Sequence, residues 1–104
     1  MTEAIYNIVL KTLIGDKYGK MITRTSNGKI EGIISILNHS EPFCGIIKPD
    51  GNCDIKGKIV TLLNTLNFIG TGNINKHFIS LNIFSDNNEF KITGTLDAGK
   101  GDLA

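Results

Sequence analysis

The sequence predicts an all-β fold, a small eight-stranded antiparallel up-and-down meander that closes into a barrel. Isoleucine and threonine are abundant whereas alanine is scarce, and this composition favours strands over helices. Apolar and polar residues alternate over segments such as 30–36 and 90–96, as in strands with one buried face. Turn-forming residues separate these segments at regular intervals. A two-sheet β roll is the alternative architecture.

Turn chemistry sets the strand boundaries. Asn27-Gly28 matches a two-residue type I′ hairpin turn, in which both central residues need a positive φ. Residues 48–51 have the sequence Lys-Pro-Asp-Gly, which matches a type I turn followed by a left-handed glycine. Weaker breaks lie at Gly15, 75–76 and 86–87, and a longer connection is expected at 38–41. The predicted strands cover residues 4–12, 17–25, 29–37, 42–48, 52–62, 65–74, 77–84 and 89–97.

These strands form a single domain, because 104 residues suffice for one hydrophobic core. We expect the barrel domain to span residues 1–97. Residues 98–104 have little apolar surface to bury, so they are expected to form a loose C-terminal tail.

Turn length and alternation together predict which side chains face the interior. A two-residue turn pairs residues of opposite parity, and a three-residue turn pairs residues of like parity. The predicted cross-strand pairs are Met21 with Ile34, Thr23 with Gly32, Ile47 with Cys53, and Gly45 with Ile55. The resulting inner face contains Tyr6, Ile8, Leu10, Met21, Ile30, Ile34, Ile36, Phe43, Ile47, Ile55, Ile59, Leu66, Phe68, Ile79, Leu81, Ile83, Phe90, Ile92 and Leu96.

Glycine recurs on this inner face at intervals of one strand plus one turn. The repeated positions are Gly19, Gly32, Gly45, Gly57, Gly70 and Gly94, and Leu81 occupies the remaining slot. A glycine packs nothing, but it lets neighbouring backbones approach where a coiled sheet bends. We interpret these glycines as the positions that allow the sheet to close.

The glycine pattern also carries a resemblance that covers nearly the whole chain. The segments concerned are Gly28-Lys29-Ile30-Glu31-Gly32, Pro42-Phe43-Cys44-Gly45, Asp50-Gly51-Asn52-Cys53-Asp54-Ile55-Lys56-Gly57, Phe68-Ile69-Gly70-Thr71-Gly72-Asn73-Ile74 and Phe90-Lys91-Ile92-Thr93-Gly94-Thr95. Together they resemble the small glycine-rich β-meander domains of unknown function found in bacteria, alone or appended to larger enzymes. The resemblance implies the fold and no function. The chain departs from the pattern at Leu81, where such repeats usually have glycine.

The outer face is unusually apolar for a small barrel. Exposed positions are expected at Ile5, Val9, Ile22, Ile33, Leu37, Ile46, Val60, Leu62, Ile69, Phe78 and Phe84, and the predicted register places Ile33 beside Ile46. Neighbouring apolar side chains on an outer face indicate a surface that another chain covers. The candidate interface residues are Ile33, Ile46, Val60, Ile69 and Phe84.

Few residues could support catalysis or metal binding. A zinc site usually has four ligands, and the chain has four His and Cys residues, but their spacing is not that of a zinc site: His39, His77, Cys44 and Cys53. The two cysteines are also expected on opposite faces of the sheet. They are therefore interpreted as free thiols, since their Cβ atoms would point apart. Glu31, Asp54, Glu89 and Asp97 are expected on the outer face as solvated charges. The glycines precede no helix and form no phosphate loop. We expect no catalytic residues, no metal, no cofactor and no enzyme activity.

Two functions remain open. The first is a small barrel for an apolar ligand, lined by Tyr6, Met21, Phe43, Phe68, His77, Leu81 and Phe90, with Thr23, Thr61 or His77 as polar groups. The second, which we rank higher, is a non-enzymatic interaction module. It would self-associate as a homo-oligomer or dock on a larger protein through its apolar outer face.

Charge and hydropathy reduce the classes of partner that are expected. The formal net charge is +1, so the clustered basic surface of a nucleic-acid-binding protein is not expected. No apolar run is long enough for a membrane helix, and the N-terminus has no leader pattern. These features predict a cytoplasmic protein without nucleic-acid or membrane partners.

Overall fold

A computed structural model describes residues 2–12, 15–60, 65–86 and 88–97, and it confirms the predicted architecture. Eight antiparallel strands follow one another around a closed barrel, and the last strand pairs with the first. The strands are β1 (Thr2–Thr12), β2 (Gly15–Ser26), β3 (Lys29–Ile36), β4 (His39–Ile47), β5 (Asn52–Val60), β6 (Thr65–Ile74), β7 (Phe78–Ser85) and β8 (Asn88–Leu96). Within these ranges no helix could cross a membrane. The predictions for Thr61, Leu62 and residues 98–104 lie outside the described residues.

Both clear turns have the predicted geometry. Asn27 and Gly28 have φ values of 52° and 80°, as a type I′ turn requires. Gly51 has a φ of 93°, and its backbone N–H donates to the Lys48 carbonyl at 2.9 Å. The four predicted cross-strand pairs are all confirmed: Met21 with Ile34, Thr23 with Gly32, Ile47 with Cys53, and Gly45 with Ile55.

The connection between β3 and β4 was predicted wrongly. A tight turn at Leu37 and Asn38, with φ values of 56° and 65°, replaces the longer connection expected at 38–41. Leu37 also packs against the core and is not the exposed residue that was expected. This packing helps to offset the cost of a left-handed leucine, roughly 1–2 kcal/mol.

The tighter turn changes which residues of β3 and β4 are neighbours. Ile33 pairs with Pro42, and Ile46 pairs with Lys29, so the predicted contact between Ile33 and Ile46 is wrong. Each strand still presents the predicted face, because the pairing moved by an even number of residues.

The inner face forms one hydrophobic core. Most of the predicted residues are buried in it, and Ile47, Leu66 and Phe90 are partly buried against it. Leu96 was predicted inside but is 38% exposed. It is the last residue of β8 and pairs with Tyr6 of β1, but it lies beyond Thr95, which pairs with the first residue of β7, so β7 does not flank it. The core residues are Tyr6, Ile8, Leu10, Met21, Ile30, Ile34, Ile36, Phe43, Cys53, Ile55, Ile59, Phe68, Ile74, Ile79, Leu81, Ile83 and Ile92.

At several glycines the backbone of the paired strand approaches so closely that a Cβ atom would not fit. At Gly45, a Cβ atom would lie 2.0 Å from the carbonyl oxygen of Asp54 on the next strand. Gly19, Gly32, Gly72 and Gly94 likewise face a carbonyl oxygen of a paired strand. Gly72 pairs with Leu81, so the close approach that the repeat lacks at Leu81 is supplied from the neighbouring strand. Gly57 and Gly70 mainly face side-chain atoms.

Candidate functional site

The outer surface has a groove where the barrel ladder opens. The β4–β5 ladder ends at the pair of Phe43 and Gly57, although both strands continue past it. Beyond this pair, residues 58–60 of β5 pair only with β6. Pro42 has no N–H to donate at this open edge, and Lys58 lies 3.8 Å from Glu41. Proline and charged residues at an open edge disfavour pairing with a foreign strand.

The groove crosses the outer surface from β3 to β7 and has a volume of about 870 Å³. Phe43 and Phe68, both almost completely buried, reach its floor beside Gly57. Its described lining residues are Glu31, Pro42, Phe43, Cys44, Lys56, Gly57, Lys58, Asn67, Phe68, Ile69, Phe84 and Asp86. The groove is therefore apolar at its centre and charged at its margins.

Ile69 and Phe84 are the principal exposed apolar pair of this surface. They are direct cross-strand partners on β6 and β7, and their exposed fractions are 63% and 43%. Directly opposed residues on one sheet face have Cβ atoms about 4.5–5.5 Å apart, so the two side chains form one patch. Lys56 pairs with Ile69, and Glu89 pairs with Phe84, so opposite charges flank the patch.

The other three interface candidates do not join this patch. Ile46 is 56% exposed on β4, where it pairs with Asp54. Ile33 is half-buried between Ile22 and Pro42, and Val60 is half-buried opposite Thr65. Sequence reasoning placed Glu89 on the outer face as a solvated charge but joined neither Glu89 nor Lys56 to the patch. Their position beside the patch follows from the register of four consecutive strands, and that register can be predicted only when all the turns between them are known.

The candidate ligand-lining residues mostly belong to the core. Tyr6, Met21, Phe43, Phe68 and Leu81 are buried, and Phe90 is partly buried against the same cluster. The seventh of these residues, His77, was predicted on a strand with its side chain inward. It is instead exposed in the connection before β7, because the Asn75 side chain accepts hydrogen bonds from the backbone N–H groups of residues 77 and 78.

Two buried hydroxyl groups have backbone acceptors. The Tyr6 hydroxyl donates to the carbonyl oxygen of Asn75 at 2.6 Å, and burial raises the pKa of Tyr6. The Thr23 hydroxyl lies 3.5 Å from the carbonyl oxygen of Ala4. These bonds satisfy the two buried hydroxyl groups within the barrel wall, so both hydroxyl groups have a structural role.

The cysteines lie on opposite faces, as predicted, and both are free thiols. Cys44 is exposed beside the groove, and Cys53 is buried in the core. Burial, assisted by the negative charge of Asp54, raises the pKa of Cys53 to about 11. A thiol with this pKa is protonated at neutral pH and is a poor nucleophile. Among the described residues, no group of three or more His, Cys, Asp or Glu side chains could hold a metal ion.

The carboxylates Glu31, Asp54 and Glu89 are exposed as expected. Asp97 differs from its prediction as a solvated charge, because its side chain is only 14% exposed and accepts a 2.9 Å hydrogen bond from Lys20. Lys20 also donates to Asn7 at 3.0 Å. This contact links β2 with the end of β8 across β1, so Asp97 helps to close the barrel.

Comparison with known proteins identifies no relative: no protein family matches the chain, and no curated protein or solved structure matches it significantly.

Proposed function

We propose that this protein is a non-enzymatic assembly module that forms a homo-oligomer through the outer face of its barrel. The observation that carries the proposal is the adjacent pair of Ile69 and Phe84, both exposed at one end of the β6–β7 ladder. Complete burial of one such side chain contributes about 1.5–3 kcal/mol. Two copies that cover this patch would remove four of these side chains from water.

The open groove supports the choice of this face. Its lining includes the nearly buried floor residues Phe43 and Phe68 beside the patch, so the groove is apolar at its base. A concave apolar surface with a charged margin has the composition of a protein interface, in which a water-excluding centre has a polar rim.

The proposal includes a cytoplasmic location and no nucleic-acid or membrane partner. The two free thiols support a reducing compartment, and Cys44 could otherwise oxidise at the surface. The likeness to bacterial glycine-rich meander domains, alone or appended to larger enzymes, also remains part of the proposal. Its support is the repeated close approach at Gly19, Gly32, Gly45 and Gly94.

A barrel for a small apolar ligand has less support. Such a barrel needs unfilled space between the inner side chains. Met21 and Leu81 are 0% and 1% exposed and belong to one continuous cluster of buried side chains. An eight-stranded barrel is also the size at which side chains can fill the interior.

The test compares two phenylalanines on the outer face of β7. Phe84 lies in the patch, and Phe78 lies at the other end of the same strand with a similar exposure, 43% against 47%. We expect Phe84→Ser to lower the mass measured by sedimentation velocity, and Phe78→Ser to leave it unchanged. A wild-type protein that sediments at the 11.3 kDa mass of one chain at all concentrations would overturn the proposal.

A further inference from the structure

The outer face of β5–β8 has two neighbouring rows whose end charges have opposite polarity. In the first row Lys56, Ile69, Phe84 and Glu89 are consecutive cross-strand partners. In the second row Asp54, Thr71, Asn82 and Lys91 are consecutive partners. The first row therefore runs from a cation to an anion, and the second runs from an anion to a cation.

The charges at the ends of these rows are available to a partner. Lys56, Glu89, Asp54 and Lys91 are all exposed. In the part of the chain that the structure describes, none of the four forms an ion pair. The next row along the strands has no charge and consists of Asn52, Asn73, Ser80 and Thr93.

Symmetry limits how two copies of this face can meet. In a two-fold dimer the same patch is used by both copies, and for face-to-face packing the axis lies in the plane between them. An axis that runs across the strands places each strand over its own copy, and it covers the Ile69 and Phe84 patch with itself only if it lies along the first row. Lys56 would then face Lys56, and Glu89 would face Glu89, so like charges would meet.

An axis parallel to the strands gives the opposite result. Placed between β6 and β7, it reverses each row, so Lys56 faces Glu89 of the second copy and Asp54 faces Lys91. Ile69 then lies over Phe84 of the second copy. Strand directions remain aligned, as in common sheet-on-sheet packing.

We infer that the partner of this face is a second copy of the same chain, related by a two-fold axis parallel to the strands between β6 and β7. The inference rests on the proposed function, because it requires that the outer face self-associates. Its basis is that, with the patch covered, both rows match unlike charges in this orientation, whereas the first row matches like charges in the perpendicular one.

Charge reversal tests the orientation. Lys56→Glu places two glutamates opposite each other at both symmetric contacts, and Glu89→Lys places two lysines there. We expect each variant alone to form the dimer about tenfold more weakly, or worse. A mixture of the two variants, or the double variant Lys56→Glu/Glu89→Lys, restores unlike pairs and should restore wild-type affinity.

Lys29→Glu on β3 is the matched control, because it changes the net charge equally but lies outside this face. It should leave the dimer unchanged. Sedimentation velocity on each protein and on the mixture measures the affinities. A wild-type chain that is monomeric overturns the proposed function itself. A dimeric wild type that is insensitive to Lys56→Glu, or a mixture that stays monomeric, overturns only the inferred orientation.

Discussion

The close approach of β4 and β5 at Gly45 predicts a large loss of stability when one methyl group is added there. In Gly45→Ala the new Cβ would lie 2.0 Å from the Asp54 carbonyl oxygen and 2.7 Å from the Ile55 Cα atom. Contacts below 3.0 Å are essentially never observed for a real Cβ, so β4 and β5 must separate by about 1 Å. Both contacts involve backbone, so rotation of a side chain cannot relieve them.

Gly70→Ala is a matched control on the same inner face. Its new Cβ would meet Ile83 Cδ1 at 2.8 Å and Ile55 Cγ1 at 3.1 Å, which are atoms of flexible side chains. Neither Gly45 nor Gly70 has a positive φ, so neither variant is strained by its backbone conformation. The two substitutions therefore differ mainly in what must move.

The expected magnitudes follow from this difference. Overpacking that side chains can absorb costs about 1–3 kcal/mol, and the reduced entropy of the unfolded chain returns about 0.4–1 kcal/mol. We expect Gly70→Ala to lower the free energy of unfolding by at most about 2.5 kcal/mol, and Gly45→Ala by about 3 kcal/mol or more. With a urea m-value near 1 kcal/mol/M, the second loss lowers the unfolding midpoint by roughly 3 M.

Urea titrations followed by circular dichroism measure both midpoints. Equal midpoints for the two variants would refute the reasoning, because the backbone contact would then carry no greater cost than the side-chain contact. A Gly45→Ala protein that fails to fold while Gly70→Ala folds agrees with it.

Three further predictions concern single side chains. Ser85→Ala should raise the free energy of unfolding by about 1 kcal/mol in urea titration, because the Ser85 hydroxyl is buried without a hydrogen-bond partner in the described part of the chain; a loss would contradict this. The raised pKa of Cys53, about 11 against 9.0 when unperturbed, means that its stabilising effect is complete below pH 9 and is lost as the pH rises through 11. Cys53→Val should therefore lose less stability than wild type over that range, and parallel pH profiles would argue against the assignment. Finally, a thiol reagent should modify only Cys44 in the folded protein and both cysteines in denaturant; rapid modification of both would show that Cys53 is accessible.

The sequence predicted the strands and their faces because two turns have chemistry that permits little choice. Asn27-Gly28 and the glycine at position 51 adopt the positive φ values that their turns require. These turns set the register locally, and the period of two then assigns the inner face of each strand. The glycines at Gly19, Gly32 and Gly45 were also interpreted correctly as close approaches.

The errors arose where tertiary packing decides the local structure. Leucine has little intrinsic tendency to adopt a positive φ, so the turn at Leu37 and Asn38 had no sequence signal on its first residue. The role of Gly72 depends on its partner Leu81, which belongs to another strand. The candidate face was recognised only through Ile69 and Phe84, because the flanking charges of Lys56 and Glu89 come together only through four strands in register.

The central claim is that a second copy covers the Ile69 and Phe84 patch. A sample that mixes isotope-labelled and unlabelled chains allows nuclear Overhauser effects to be filtered for contacts between copies. The account predicts an intermolecular effect between the Phe84 ring and the Ile69 methyl groups, at concentrations where the chain is dimeric. A dimer with intermolecular effects elsewhere and none at this pair would contradict it, as would a chain that shows no intermolecular effect at any concentration.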